Sequence, residues 1–112
     1  MAKIIISENL KDKIIKKFKQ ESKKIFRFMR VLEESPKKGK IVGQVRGIVI
    51  KELRYEKYRF YFITDGYKLK VLGVEELKDL VIKFIRMSDK KSQQKAIDEI
   101  KIVLRMLGDE GF

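Results

Sequence analysis

The sequence predicts an α+β domain: a short N-terminal strand and helical hairpin, then a mainly antiparallel four-strand sheet and a C-terminal helix. Three observations carry this. The spacing of apolar residues is helical as far as Ser35 and changes from Ile41 onward to runs rich in β-branched and aromatic residues. Asp65-Gly66 stands between two such runs, the strongest short signal for a type I′ hairpin. Ala96, Ile97, Ile100, Val103, Leu104 and Leu107 then recur at helical spacing, and Gly108 follows as a terminator. With 112 residues, positions 1–112 make one domain.

Taken in order, Lys3–Ile6 is a β-branched run suited to an edge strand. Ser7 caps the first helix, with Glu8 complementing the dipole in its first turn. Leu10, Ile14 and Phe18 form one apolar stripe, and Ile25, Phe28, Met29 and Leu32 form another. The pattern fits one bent helix or two helices, and Ser22, placed to cap the second, favours two. Pro36 restricts the residue before it, so the helical part ends at Ser35. Val45–Tyr55, Tyr58–Thr64, Tyr67–Leu72 and Val81–Arg86 are the four strands, with a polar excursion at Gly73–Leu80 that holds one helical turn. All helices are expected on one face of the sheet.

Charge narrows the partners. Lys and Arg number 28 against 16 Asp and Glu, a net +12 with a sequence pI near 9.9. The excess is +8 over residues 1–40, +5 over 41–91 and −1 over 92–112. A polyanion such as RNA, DNA or an acidic protein is the expected partner. The chain has no cysteine and no histidine, which excludes a disulfide framework, thiol chemistry and a Ser-His-Asp triad, and argues against zinc. Without a long apolar run or a signal-like segment, it is read as cytoplasmic, with no membrane partner.

The two expected turns define a register. Across Asp65-Gly66, Thr64 would pair with Tyr67, Phe62 with Leu69 and Phe60 with Val71, which makes an apolar core face. The opposite face would hold Ile63 with Lys68, Tyr61 with Lys70 and Arg59 with Leu72, and would be basic and aromatic. Across Glu56-Lys57, Leu53 pairs with Phe60 and Arg54 with Arg59. Like charges opposite each other destabilise a sheet unless an anion lies between them, so this pair points to phosphate. Glu52, opposite Tyr61, is the residue that would otherwise neutralise one arginine. The lysines of the first helices, Lys11 to Lys24, are most simply a solvated face. Gly43 and Gly47 lack phosphate-loop spacing, and Glu75, Glu76 and Asp79 read as charge balance.

Ile50-Lys51-Glu52-Leu53-Arg54, then Tyr58-Arg59-Phe60-Tyr61-Phe62, then Phe84-Ile85-Arg86 ahead of Lys90-Lys91 and a final helix, resembles the RelE/ParE superfamily of toxin–antitoxin toxins. The likeness is to its HigB-type, phage-derived branch. It covers residues 10–107 in element order and about 41–100 in motif. The resemblance implies a RelE-like fold and a ribosome-dependent mRNA endonuclease that needs no metal, cofactor or small-molecule ligand. It also implies mRNA, the ribosome and an acidic antitoxin protein as partners.

In that chemistry the RNA 2′-hydroxyl attacks the adjacent phosphate, so the protein supplies proton transfer and cations. Arg54 and Arg59 match the Leu-Arg and Tyr-Arg positions, Arg86 matches the first basic residue of a Phe-x-Lys-Lys strand end, and Met87 departs from it. Arg54, Arg59, Arg86 and Tyr61 are the expected catalytic residues. Lys51, Lys68, Lys70, Lys83, Lys90 and Lys91 are the expected RNA contacts, although the register turns Lys51 towards the core. The alternatives are a gyrase-poisoning toxin of the ParE type and a non-catalytic nucleic-acid-binding domain.

Overall fold

The computed structural model describes all of residues 1–112. It opens with β1 (Lys3–Ile6) and α1 (Glu8–Phe18). Ser7 caps α1 as expected, its side chain accepting from the Leu10 amide at 3.4 Å. Lys19 ends α1 at a φ of 51°, and a 3₁₀ turn leads into α2 (Ser22–Met29). The helical hairpin therefore forms, but Ser22 is not its cap. Ser22 already lies inside α2, and its hydroxyl donates to the Ile14 carbonyl at 3.1 Å, which locks the two helices together.

β3 (Ile48–Tyr55) occupies most of the strand expected at Val45–Tyr55, but that stretch also contains a turn at Arg46-Gly47, and the residues before the turn form a further strand that was not expected, β2 (Lys40–Val45). Both turn residues have positive φ, 49° and 83°, which matches the twist of a two-residue hairpin. β4 (Tyr58–Asp65) follows across Glu56-Lys57, and the register pairs Leu53 with Phe60 and Arg54 with Arg59, as expected. β5 (Val81–Asp89) lies antiparallel to β4, while β1 lies parallel to β5. The result is a five-strand mixed sheet in the order β1-β5-β4-β3-β2.

The Asp65-Gly66 hairpin does not form. Asp65 instead caps α3 (Gly66–Val71), accepting from the Lys68 amide at 3.1 Å. The Gly66 amide donates to the Gly47 carbonyl at 2.8 Å, and a Cβ on Gly66 would stand only 2.9 Å from that oxygen. Tyr67–Leu72 is consequently no strand, and β5 takes the place beside β4.

The helices also do not share one face. α1 and α2 cover one side, where Leu10, Ile14, Ile25 and Met29 pack with Leu53, Phe60, Phe62 and Phe84. α4 (Gln93–Leu107) covers the other, burying Ile97, Ile100 and Leu104 against Ile50, Tyr61, Ile63 and Ile85. Thus the face expected to be basic and open is mostly a second core. No helix is long and apolar enough to cross a membrane.

Tyr55 ties β3 to the turn between α1 and α2, its hydroxyl donating to Glu21 Oε2 at 2.8 Å. That bond to a carboxylate, with burial, pushes the phenol up to about 12 from 10.0. A raised folded-state value means the contribution is complete below pH ~10 and is lost as pH rises towards about 12. Tyr55→Phe should therefore lose less stability over that interval than the wild type. Parallel thermal midpoint profiles for the two proteins would refute the tie.

Candidate nucleic-acid interface

The site lies on the α4 side of the sheet, where three strands run side by side. Arg54 on β3, Arg59 on β4 and Ser88 on β5 form one cross-strand row. Glu52, Tyr61 and Arg86 form the next. A register shift in β5 at Ile85 turns Ile85 and Arg86 to the same side as Tyr61. α4 begins above the second row, where the Gln93 side-chain amide donates to Glu52 Oε2 at 3.4 Å. The first row is left at the margin of the covered area.

Arg59 is 5% exposed. One of its terminal nitrogens donates to the Lys57 carbonyl at 3.3 Å, inside its own turn, and its buried Nε has no partner. Arg54, directly opposite, is exposed. Neither is ion-paired: the single ion pair in the molecule is Arg30–Glu33, far along the sequence on a helical turn. Glu52 is buried one row away, bonded to Gln93, and forms no ion pair with either guanidinium. An orphaned buried donor requires an explanation, and two guanidinium groups without ion pairs at directly paired positions are chemically able to bind an oxyanion.

Tyr61 is completely buried beneath this row, its hydroxyl 2.8 Å from Ser88 Oγ. Burial raises its pKa, against the opposing effect of the Ser88 bond, so it stays a neutral phenol that holds Ser88 in place. Arg86 is half-buried, donates to the Ile85 carbonyl at 3.0 Å and lies with its guanidinium 5.1 Å from the Phe112 ring centre. Lys83 lies further along β5, with its amine bonded to the Phe112 backbone oxygen. Lys90 and Lys91 are exposed in the turn between β5 and α4, next to the row of Arg59 and Ser88.

Three expected contacts lie elsewhere. Lys51 is 3% exposed and points to the α1/α2 side, as the register indicated. Its amine donates to the Lys37 carbonyl at 2.8 Å, and burial lowers its pKa. Lys68 and Lys70 are on α3, at the opposite end of β4 from Arg59, so they belong to no sheet face. The structure thus gathers Arg54, Arg59, Tyr61 and Arg86, with Lys90 and Lys91 at the rim. Ser88 was missed because the strand was expected to stop at Arg86, although the alternation Arg86, Ser88 was readable.

No family model matches the chain, and no curated protein or solved structure matches it.

Proposed function

We propose that the protein is a HigB/RelE-like toxin that cleaves translated mRNA, with its phosphate-binding centre at Arg54 and Arg59. The observation that carries the reading is Arg59: a buried guanidinium with an orphaned Nε, facing a second unpaired arginine. The three motifs that resemble the family fall on neighbouring strands β3, β4 and β5, which supports the same reading.

In the proposed reaction the substrate provides its own nucleophile: the 2′-hydroxyl gives its proton to water and bonds to the adjacent phosphorus to form a 2′,3′-cyclic phosphate, while the P–O5′ bond breaks and the departing 5′-oxygen takes a proton from water. Arg54 and Arg59 would hold the non-bridging oxygens and stabilise the added charge of the pentavalent state. Arg86 would stand one row away, towards the leaving group. Tyr61 acts from below as a positioning residue, because its hydroxyl is bonded to Ser88 and shielded from solvent.

A second reading, RNA binding without cleavage, is favoured by one observation. Tyr61 and Lys51, two of the groups expected in this centre, are buried, and Lys51 lies on the far side of the sheet.

The test is induced expression in a translating extract, mapping mRNA 5′ ends for wild type and for Arg54→Ala/Arg59→Ala. New ends on translated message are expected for the wild type, reduced by ~10²–10³-fold or more in the double variant, the usual cost of removing a charge-stabilising donor. Intact message together with salt-dependent RNA affinity would establish the binding-only reading instead.

A further inference from the structure

Beyond Phe84, β5 has no strand on its outer side, because β1 pairs only with Val81–Phe84. Along this open edge runs a groove of about 490 Å³ between α1 and the end of the sheet, lined by Lys13, Lys16, Lys17, Tyr58, Ser88 and Asp89. The three lysines are exposed and none is ion-paired. Lys17 Nζ lies 5.2 Å from the Tyr58 ring centre and Lys57 Nζ lies 6.0 Å from it, so one aromatic ring carries two ammonium groups. Phe18 fixes that ring edge-on at 5.1 Å.

The groove contains one carboxylate, and it is engaged elsewhere. Asp89 Oδ1 accepts from the Ser92 amide at 2.9 Å, in the turn that starts α4. Bonding to that amide holds the carboxyl below its usual range. Asp89 therefore stays ionised and tied to the turn, and one carboxylate against three lysines leaves the groove with an excess of positive charge for an external anion.

Ser88 joins the two regions. It lines the groove and also stands in the row with Arg59 and Arg54. We propose that the groove is a binding track for the backbone of single-stranded RNA, which runs from the arginine pair on the α4 side of the sheet, over the open edge of β5 at Ser88, and onto Lys13, Lys16 and Lys17 on the α1 side. The proposal rests on the phosphate reading of Arg54 and Arg59 and extends it to the neighbouring nucleotides. One helix and one strand edge bound the groove. Its cations contact phosphates without reading bases, so the track favours no sequence.

The test measures binding of a fluorescent oligouridylate between about 50 and 200 mM salt, where counterion release sets the slope. Wild type is compared with Lys16→Gln/Lys17→Gln and with Lys23→Gln/Lys24→Gln. The second pair removes the same charge from exposed positions on α2 outside the groove. Each lost phosphate contact lowers the slope of log affinity against log salt by about 0.7 for a single strand, so the groove variant should lose about 1.4. The α2 variant should keep the wild-type slope.

Equal losses in both variants would reduce the effect to net charge and overturn the track. Preferential binding of polyglutamate over the oligouridylate, abolished by the Lys16/Lys17 change, would make the groove a site for an acidic protein and overturn it too. Cleavage is read separately through Arg54 and Arg59. A wild-type slope in the groove variant, with arginine-dependent cleavage intact, therefore rejects the track alone, whereas a groove-specific slope loss without cleavage rejects only the nuclease.

Discussion

Arg59→Met is expected to raise the thermal midpoint while it abolishes RNA cleavage. Arg59 is almost wholly buried, makes one bond to the Lys57 carbonyl and leaves Nε unpaired. A buried donor without a partner costs about 1–3 kcal/mol, and an uncompensated charge adds to that. Methionine fills similar space with a flexible apolar chain and removes both penalties. A gain of about 1 kcal/mol corresponds to ~4–8 °C in a domain near this size.

Opposite changes in stability and activity are the signature of a residue retained for function. Arg59→Lys provides the companion test, because it keeps the charge but loses the planar fork; cleavage should still fall by an order of magnitude or more. A destabilised Arg59→Met protein would mean that the guanidinium is a packing element. A stabilised protein with full cleavage would separate the orphaned Nε from the reaction.

Arg59 is legible in the sequence for a local reason. Glu56-Lys57 is flanked by tyrosines and alternating apolar positions, so a two-residue turn sets the Arg54–Arg59 register, and β3–β4 adopts it. The same logic failed at Asp65-Gly66, where two devices compete for one dipeptide. Asp-Gly suits a type I′ turn, but Asp is also a strong helix cap, and Leu69 and Leu72 fall at helical spacing. Tyr67–Leu72 alternates equally well, so its own periodicity leaves the choice open. Tertiary context settles it: β5 occupies the edge of β4, and the Gly66 amide is bonded to Gly47 in the neighbouring hairpin turn.

Assigning a false partner to β4 then misplaced the helices. With Lys68 and Lys70 set opposite Ile63 and Tyr61, that side of the sheet looked basic and open. Yet Phe60-Tyr61-Phe62-Ile63 is an unbroken apolar run, the pattern of a strand covered on both sides. The amphipathic α4 needed an apolar surface, and this run offered one that α1 and α2 had not already taken. Lys51 was legible for the converse reason: register alone turned it inward, and the structure supplies the Lys37 carbonyl that satisfies it.

Ile63→Lys discriminates between these two pictures of the sheet. On an open basic face, where Ile63 would lie opposite a lysine, the change would alter stability by no more than ~0.5 kcal/mol. In the structure Ile63 is 3% exposed and packed with Tyr61, Ile85, Ile97 and Ile100. Its cross-strand neighbours are Ile50 and Lys83, so a new ammonium group would stand beside an apolar residue and another cation across the sheet. Burying an unpaired charge costs several kcal/mol, a large share of the ~5–15 kcal/mol that holds a domain together. The variant should lose its cooperative thermal transition.

Ile63→Val keeps the experiment quantitative, with an expected loss of about 0.5–1.5 kcal/mol and a midpoint lowered by several degrees. Native-like melting of Ile63→Lys would mean that α4 does not cover this face, and the boundary of the site would move with it. That boundary is what makes the arginine pair distinctive. α4 seals the sheet from Ile63 towards Tyr61, its first turn meets Glu52 through Gln93, and one row further out Arg54 reaches solvent while Arg59 stays enclosed. On the proposed phosphate-binding reading, the start of the helix would set how much of the cation pair an incoming phosphate meets in water and how much in a dry, low-dielectric margin, where each hydrogen bond to it is stronger.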